Sequence, residues 1–211
     1  MKKGYRWLFI ATVILGMASC QKEIHGDAAL NPGTPADTIP GTEVGDWKFI
    51  SLQGTIAQTT EVAQSGASLK GVSNTNFTSQ NNAGTLTFDS ATMTVNGLAL
   101  SINTTAKTYV YMNGFLIDSL QAPLTHTITP QSTTAGYQKI GADSLYFQDG
   151  GLLNSLTGGI LPSAPTGCKL TFEGNTMKIT VAYDIVTTQD YQGFPAKVTM
   201  HAVLVATLQR N

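Results

Sequence analysis

"NTMKITVAYDIV", residues 175–186, alternates between apolar and polar or small side chains along its length. Successive side chains of a β-strand point to opposite faces, so this period of two predicts a strand with one buried and one solvated face. The apolar face would carry Met177, Ile179, Val181, Tyr183 and Ile185. "KVTMHAVLVATLQ", residues 197–209, repeats the pattern, with Val198, Met200, Ala202, Leu204, Ala206 and Leu208 on one face.

Further strand-like segments occupy much of the chain before these two, and turn signals such as "EGN", "NG" and "QDGG" separate the runs. They are DWKFISLQ (46–53), GTLTF (84–88), TMTVNGLALSI (92–102), TYVYM (108–112), DSLYFQ (143–148) and CKLTFEG (168–174). No amphipathic helix exceeds about two turns. The sequence therefore predicts one all-β domain over 46–211, an antiparallel β-barrel or barrel-like sandwich of eight to ten strands.

One long irregular segment interrupts this pattern, "QDGGLLNSLTGGILPSAPTG" at 148–167. It is rich in leucine and glycine. Long loops of compact domains often act as lids or binding loops. The alternative is a short helix whose leucines fill the core at one end of the barrel.

The N-terminus has the order of an export signal. Lys2, Lys3 and Arg6 form a positive start, and 12 uncharged residues follow at 7–18. That run is too short for a spanning helix, which needs about 20 apolar residues, but it fits the apolar region of a secretory signal. We therefore assign residues 1–19 as a signal peptide.

The residues that end this signal, "MASC" at 17–20, resemble the lipobox of bacterial lipoproteins. The resemblance implies that Cys20 carries a diacylglycerol on its sulfur and becomes the first residue of the mature chain. Lys22 and Glu23 resemble the export signal that follows the lipidated cysteine in surface lipoproteins of the Bacteroidota. The implied location is the outer membrane, with the cell surface favoured over the periplasmic side. The implied partner is membrane lipid, held through the Cys20 anchor.

Residues 20–45 read as a tether between this anchor and the domain. Pro32, Pro35 and Pro40, together with several glycines, interrupt any strand or helix period. Such a linker is semi-extended.

The domain opens with "GDWKFISLQG", in which Gly45 and Trp47 resemble the Gly-x-Trp motif on the first strand of lipocalin-like proteins. The resemblance implies an eight-stranded antiparallel barrel with the Trp packed across its base. We find no arginine placed to stack on Trp47 and no disulfide.

A second resemblance, to the O-glycosylation acceptor Asp-Ser/Thr-apolar of exported Bacteroidota proteins, makes Thr38, Ser90, Ser119 and Ser144 candidate glycosylation sites.

Charge and chemistry exclude several functions. The formal net charge of −1 becomes −4 without residues 1–19, since nine basic residues then face 13 acidic ones. No basic patch remains for nucleic acid, whose binding depends on neutralising phosphates. We find no metal-ligand spacing, nucleophile motif or phosphate loop, so we expect no enzyme, metal or cofactor. With Cys20 lipidated, Cys168 lacks a disulfide partner and is either a buried small hydrophobe or a free thiol.

Two functions remain open. The first is a lipid-anchored β-barrel that binds a small apolar or amphipathic ligand, because small barrels can hold one molecule when their inward side chains are small. The second is a surface accessory or adhesive lipoprotein without an internal ligand, contacting glycans or an unidentified partner protein. Its candidate sugar-stacking residues are Tyr109, Tyr111, Tyr137 and Tyr191.

Overall fold

A computed structural model describes residues 42–64, 66–159, 161, 164, 166–191 and 193–211. The signal peptide, Cys20, Lys22, Glu23 and Thr38 lie outside the described residues, so they stay predictions. The chain from Thr42 onward is dominated by antiparallel strands with one short helix.

Over the residues described, ten strands and one helix follow one another. The strands are β1 Gly45–Gln64, β2 Ala67–Thr78, β3 Gln80–Phe88, β4 Thr92–Met112, β5 Phe115–Gly136, β6 Gln138–Ile140, β7 Ser144–Phe147, β8 Thr166–Glu173, β9 Thr176–Tyr191 and β10 Phe194–Arg210. The helix, α1, covers Gly151–Thr157. β1 begins one residue before the predicted domain start at 46.

All ten strands belong to a single sheet, which makes the fold barrel-like rather than a two-sheet sandwich. Its order is β6-β7-β8-β9-β10-β1, followed by β2 and β3 in one position, then β4 and β5. β2 and β3 both lie between β1 and β4 and are separated only by Ser79. The Ser79 hydroxyl accepts from the backbone N–H of Leu52 at 2.7 Å, which fills the break in the ladder. The prediction of an all-β, barrel-like fold of eight to ten strands is confirmed.

Three long hairpins give the sheet two distinct ends. β1–β2, β4–β5 and β9–β10 all turn at the same end, which we call the upper end. The lower end is where β1 starts and β10 finishes. We call the upper half the part of the sheet above Thr55, Val203 and Ala182, which are paired with one another.

The hydrophobic core lies in the lower half. Its largest fully buried side chains include Trp47, Phe49, Leu52, Leu86, Phe88, Met93, Leu98, Leu100, Leu145 and Phe147. The faces predicted for β9 and β10 point into this core, from Met177 to Tyr183 and from Ala202 to Leu208. The helix completes the core, because Leu152, Leu153 and Leu156 are fully buried. Segment 148–167 thus supplies core leucines, the second of its two predicted roles.

The helix lies against β5. Its Ser155 carbonyl accepts from the Gln131 side chain at 3.2 Å. A Cβ built on Gly151 would lie 2.5 Å from the Cβ of Ala135, which is buried in the core. This close approach requires glycine and brings the backbone of α1 directly onto the inner face of β5.

Trp47 is 1% exposed and packs at the lower end, where the first strand pairs with the last. Its indole N–H donates to the Glu43 carbonyl at 2.7 Å. The Arg210 guanidinium lies 4.7 Å from the ring centroid, a cation–π contact. The lipocalin-like resemblance implied a Trp47 packed across the base, but the expectation that no arginine stacks on the ring was wrong. Arg210 is brought there by its register opposite Trp47.

Candidate functional site

The candidate site is the inner face of the upper half, formed by rows of side chains that cross six strands. Directly paired residues of an antiparallel sheet share a face, so the register defines each row. The first row runs Ile185, Met200, Gln58, Ser73, Thr108, Leu120. The second row runs Thr187, Val198, Thr60, Gly71, Val110, Asp118. Both rows continue the faces that carry the core below.

Burial changes sharply between the lower half and these rows. In the lower half, the paired residues Leu52, Ala206, Ile179 and Leu170 are at most 1% exposed. In the second row, by contrast, every residue is half-buried. Side chains from paired strands thus line this face without filling the space in front of it. Solvent therefore reaches part of the inner face of the upper half. Met200 in the first row is 3% exposed, however, and Ala196, which pairs with Val62 above the second row, is 2% exposed.

A layer of apolar side chains separates the two regions. Ile56, Phe77 and Leu124 are partly buried and pack against the core, as does Ile185 of the first row. Phe77 lies against the backbone of Gly54, since a Cβ at Gly54 would fall 2.2 Å from the Phe77 Cζ. Only glycine permits this contact. These side chains form the floor of the candidate site.

The sheet leaves the site open on one side. β8 pairs with β9 only between Lys169–Thr180 and Glu173–Thr176, so β9 from Val181 upward has β10 as its one neighbour among the described strands. β5 likewise pairs only with β4. The inner rows are therefore accessible between the upper parts of β5 and β9 as well as from the upper end.

The site is apolar with neutral hydrogen-bonding groups at the centre of its first row, and Asp118 places one acidic side chain at the β5 end of its second row. The first row has apolar residues at its flanks and Gln58, Ser73 and Thr108 at its centre. Near the floor, the Nε2 atom of His126 is buried without a hydrogen-bond partner among the described residues, below the turn at Gly158. Such a surface suits an amphipathic molecule, whose apolar part contacts the flanks and whose polar part contacts the centre.

Cys168 is buried in the core, and burial raises the pKa of its thiol to about 12. A thiol with that pKa is almost entirely protonated at neutral pH, which suits a small core hydrophobe and disfavours a nucleophile.

Over the described residues, no group of three or more His, Cys, Asp or Glu side chains could hold a metal ion. Within the same part of the chain, no helix has the length and hydropathy to cross a bilayer.

The residues predicted from motifs lie apart from this site. Gly45 starts β1 at the lower end, next to Trp47. Ser90 is exposed in the turn between β3 and β4, and Ser144 opens β7. Ser119 is exposed within β5. These positions leave the glycosylation prediction untested.

The tyrosines proposed for sugar stacking are also dispersed. Tyr109 and Tyr111 are half-buried on the outer face of β4, and the Lys107 ammonium lies 4.9 Å from the Tyr109 ring. Tyr137 is buried, and its hydroxyl donates to the Asp89 carbonyl. Tyr191 ends β9 near the upper turn. Buried Tyr137 therefore shares no surface with Tyr109 and Tyr111 on the outer face.

Sequence reasoning missed the inner-face residues of β2 and β5. A signal existed on β5, where Leu120, Ala122 and Leu124 alternate with polar neighbours. On β2 the inner positions include Gly71, Ser73 and Thr75, which carry no such contrast. The site could therefore be recognised in part on β5 and not on β2.

No family model and no curated protein match this chain. Among solved structures, the chain is similar to the translocator domain of the autotransporter NalP from Neisseria meningitidis. The identity is 9% and the TM-score 0.20, over 81% of this chain and 90% of that one. A TM-score of this size carries no argument about fold or function.

Proposed function

We propose that this protein is a non-enzymatic lipoprotein, anchored in the outer membrane through Cys20 and exposed at the cell surface. It binds a small apolar or amphipathic molecule on the inner face of the upper half. The observation that carries the ligand proposal is the change from a filled lower half to the half-buried second inner row above it. The lipidation and location rest on the "MASC" and Lys22–Glu23 resemblances.

The filled core determines where a ligand would bind. The lower rows already pack against one another and against the leucines of α1, so the ligand occupies the space above Phe77 and Leu124. There it replaces water next to apolar side chains, which contributes about 25 cal/mol per Å² of apolar surface removed from water. The hydroxyls of Ser73 and Thr108 orient its polar group.

Titration with a fluorescent fatty acid tests this proposal. The probe is extrinsic because Trp47 lies at the lower end of the packed core, away from the inner rows. Ser73→Phe introduces a ring into the first row and should weaken binding. The matched control is Asn74→Phe, on the exposed outer face of the same strand. Overfilling a close contact costs about 1–3 kcal/mol, roughly 5- to 150-fold in Kd.

Saturable binding that Ser73→Phe weakens and Asn74→Phe leaves unchanged would support the proposal. Equal affinity of both variants would place the ligand elsewhere. No binding by the parent chain would favour the alternative of an accessory or adhesive lipoprotein without an internal ligand.

A further inference from the structure

The upper end of the barrel carries an exposed apolar turn. At the start of β5, Phe115 is 77% exposed, Leu116 is 56% and Ile117 is 51%, and Met112 at the end of β4 is also exposed. We call these four residues the apolar tip. Large apolar side chains grouped on a projecting turn are a cost in water, and such groups commonly mark a contact surface.

The apolar tip is held in place by its neighbours. Asn113 and Gly114 both have positive φ, at 49° and 83°, as a tight two-residue hairpin turn requires. The Asn113 side chain accepts from the Ser68 N–H at 2.9 Å, and the Asn113 N–H donates to the Ser68 carbonyl at 2.8 Å. These bonds fasten the turn to the start of β2. The tip is therefore presented in one orientation and little ordering is needed for it to make a contact.

The apolar tip is continuous with the candidate site. The register places Val62, Leu69, Met112 and Phe115 in one row, directly above the second inner row. Phe194, at the turn between β9 and β10, adds another exposed apolar side chain at the same end. A molecule that enters the inner face from above would pass over these residues.

We propose that the apolar tip rests on a phospholipid bilayer and that lipids with acyl chains pass from there onto the inner face. This deepens the proposed function and rests on it, since it names bilayer lipid as the ligand class. The tip is a single narrow turn, far smaller than the 20–30 residues per side of a typical protein interface. A bilayer needs no matched surface. Residues 108–117, "TYVYMNGFLI", carry no charge. Within this stretch, Tyr109 and Tyr111 lie on β4, just before the apolar tip. Tyrosines are favoured at the level of lipid headgroups.

The contact between the apolar tip and a bilayer is tested by measuring, on the full chain, how deeply a dye attached to the tip enters the bilayer of a vesicle. Single thiols are introduced as Leu116→Cys or Ile140→Cys, each with Cys20→Ser, and labelled with an environment-sensitive dye. Ile140 is the matched control because it is also 56% exposed but lies on β6, away from the three upper turns. The labelled chains are mixed with phosphatidylcholine vesicles whose acyl chains are brominated. Bromine should quench the dye at 116 and not at 140, whether or not residues 1–19 also bind the vesicle.

Two outcomes would overturn the bilayer contact. One is a dye at 116 that stays unquenched and water-exposed in the presence of vesicles. The other is a dye at 116 that becomes buried as the protein concentration rises without vesicles, which would make the tip a contact between copies of this chain.

A second pair of variants separates this inference from the proposed function. Leu116→Asp should slow the pickup of a fluorescent fatty acid from phosphatidylcholine vesicles by about tenfold or more, and Ile140→Asp should not. Binding of the same fatty acid in vesicle-free solution should be unchanged in both. Unchanged pickup by Leu116→Asp refutes transfer over the tip. If the parent chain does not bind the fatty acid in vesicle-free solution, the proposed function is refuted instead. The quenching of the dyes at 116 and 140 then still tests the bilayer contact on its own.

Discussion

Replacing Trp47 by Ala should destabilise the domain more than any surface substitution. The ring is 1% exposed and touches Phe172, with 6.2 Å between the two ring centroids. Deleting a buried aromatic of this size costs about 3–5 kcal/mol, because contacts are lost and a cavity remains. Arg210 also loses its cation–π contact. Out of the 5–15 kcal/mol typical of a folded domain, this loss corresponds to a decrease in Tm of roughly 6–20 °C.

Urea unfolding followed by far-UV circular dichroism measures this loss without relying on tryptophan fluorescence. Trp47→Phe should fall between the parent and Trp47→Ala, since it keeps an aromatic ring but cannot donate to the Glu43 carbonyl. The control is Phe115→Ala, on the exposed tip, which should change stability by less than about 0.5 kcal/mol. If Trp47→Ala unfolds within about 1 kcal/mol of the parent, Trp47 is not part of a packed core and the account of the lower end is wrong.

Three further outcomes follow from the fold and the motifs. Gly54→Val should destabilise the domain by about 1–3 kcal/mol, because its side chain collides with Phe77, and adding Phe77→Ala should restore part of that loss in urea unfolding. The Cys168 thiol should resist iodoacetamide at pH 8 until the protein is unfolded, as followed by mass spectrometry. Since burial raises its pKa to about 12 in the fold, the stability that this thiol contributes should be complete below pH 9 and decline between pH 9 and about 12. Expressed in a bacterium that lipidates exported proteins, the chain should yield a mature N-terminus at a lipid-modified Cys20, and Cys20→Ala should accumulate as unlipidated precursor. An unmodified N-terminus in the parent would contradict the lipobox prediction.

Strands with one fully buried face were readable from the sequence. β9 and β10 alternate apolar and polar residues because one face packs in the core and the other meets water. β2 and β5 were missed. β2 includes "KGVSNTNFT" at 70–78, whose composition is typical of a loop, yet it is a strand because β1 and β4 satisfy its backbone on both sides. β5 contains Pro123, which lacks an N–H and is tolerated because the strand lies at an edge of the sheet.

The candidate site was less predictable than the fold, for a topological reason. Each strand contributes only one residue to a row, and residues as distant in sequence as Gln58 and Met200 become neighbours through register alone. The stacking of Arg210 on Trp47 has the same origin. Half-buried positions also accept both polar and apolar residue types, and the two rows accordingly contain Ser, Thr, Gly and Gln as well as apolar residues. Alternation therefore predicts where the core lies and says little about a partly solvated interior.

The fixed start of the folded chain sets a geometric limit on how the protein could stand on a membrane. The buried Glu43 carboxyl group lies 2.6 Å from the Lys139 Nζ atom, and the Arg210 guanidinium donates to the Thr42 carbonyl at 2.8 Å. These two contacts fix the start of the folded chain at the lower end. β1 alone has 20 residues and is about 65 Å long, which places the apolar tip roughly that far from the point of entry. The 24 residues at 21–44 reach at most about 80 Å when fully extended. A chain anchored at Cys20 could therefore stand upright with its tip on the same membrane, with little length to spare, whereas a tether of half that length would let the tip reach the membrane only with the domain tilted over.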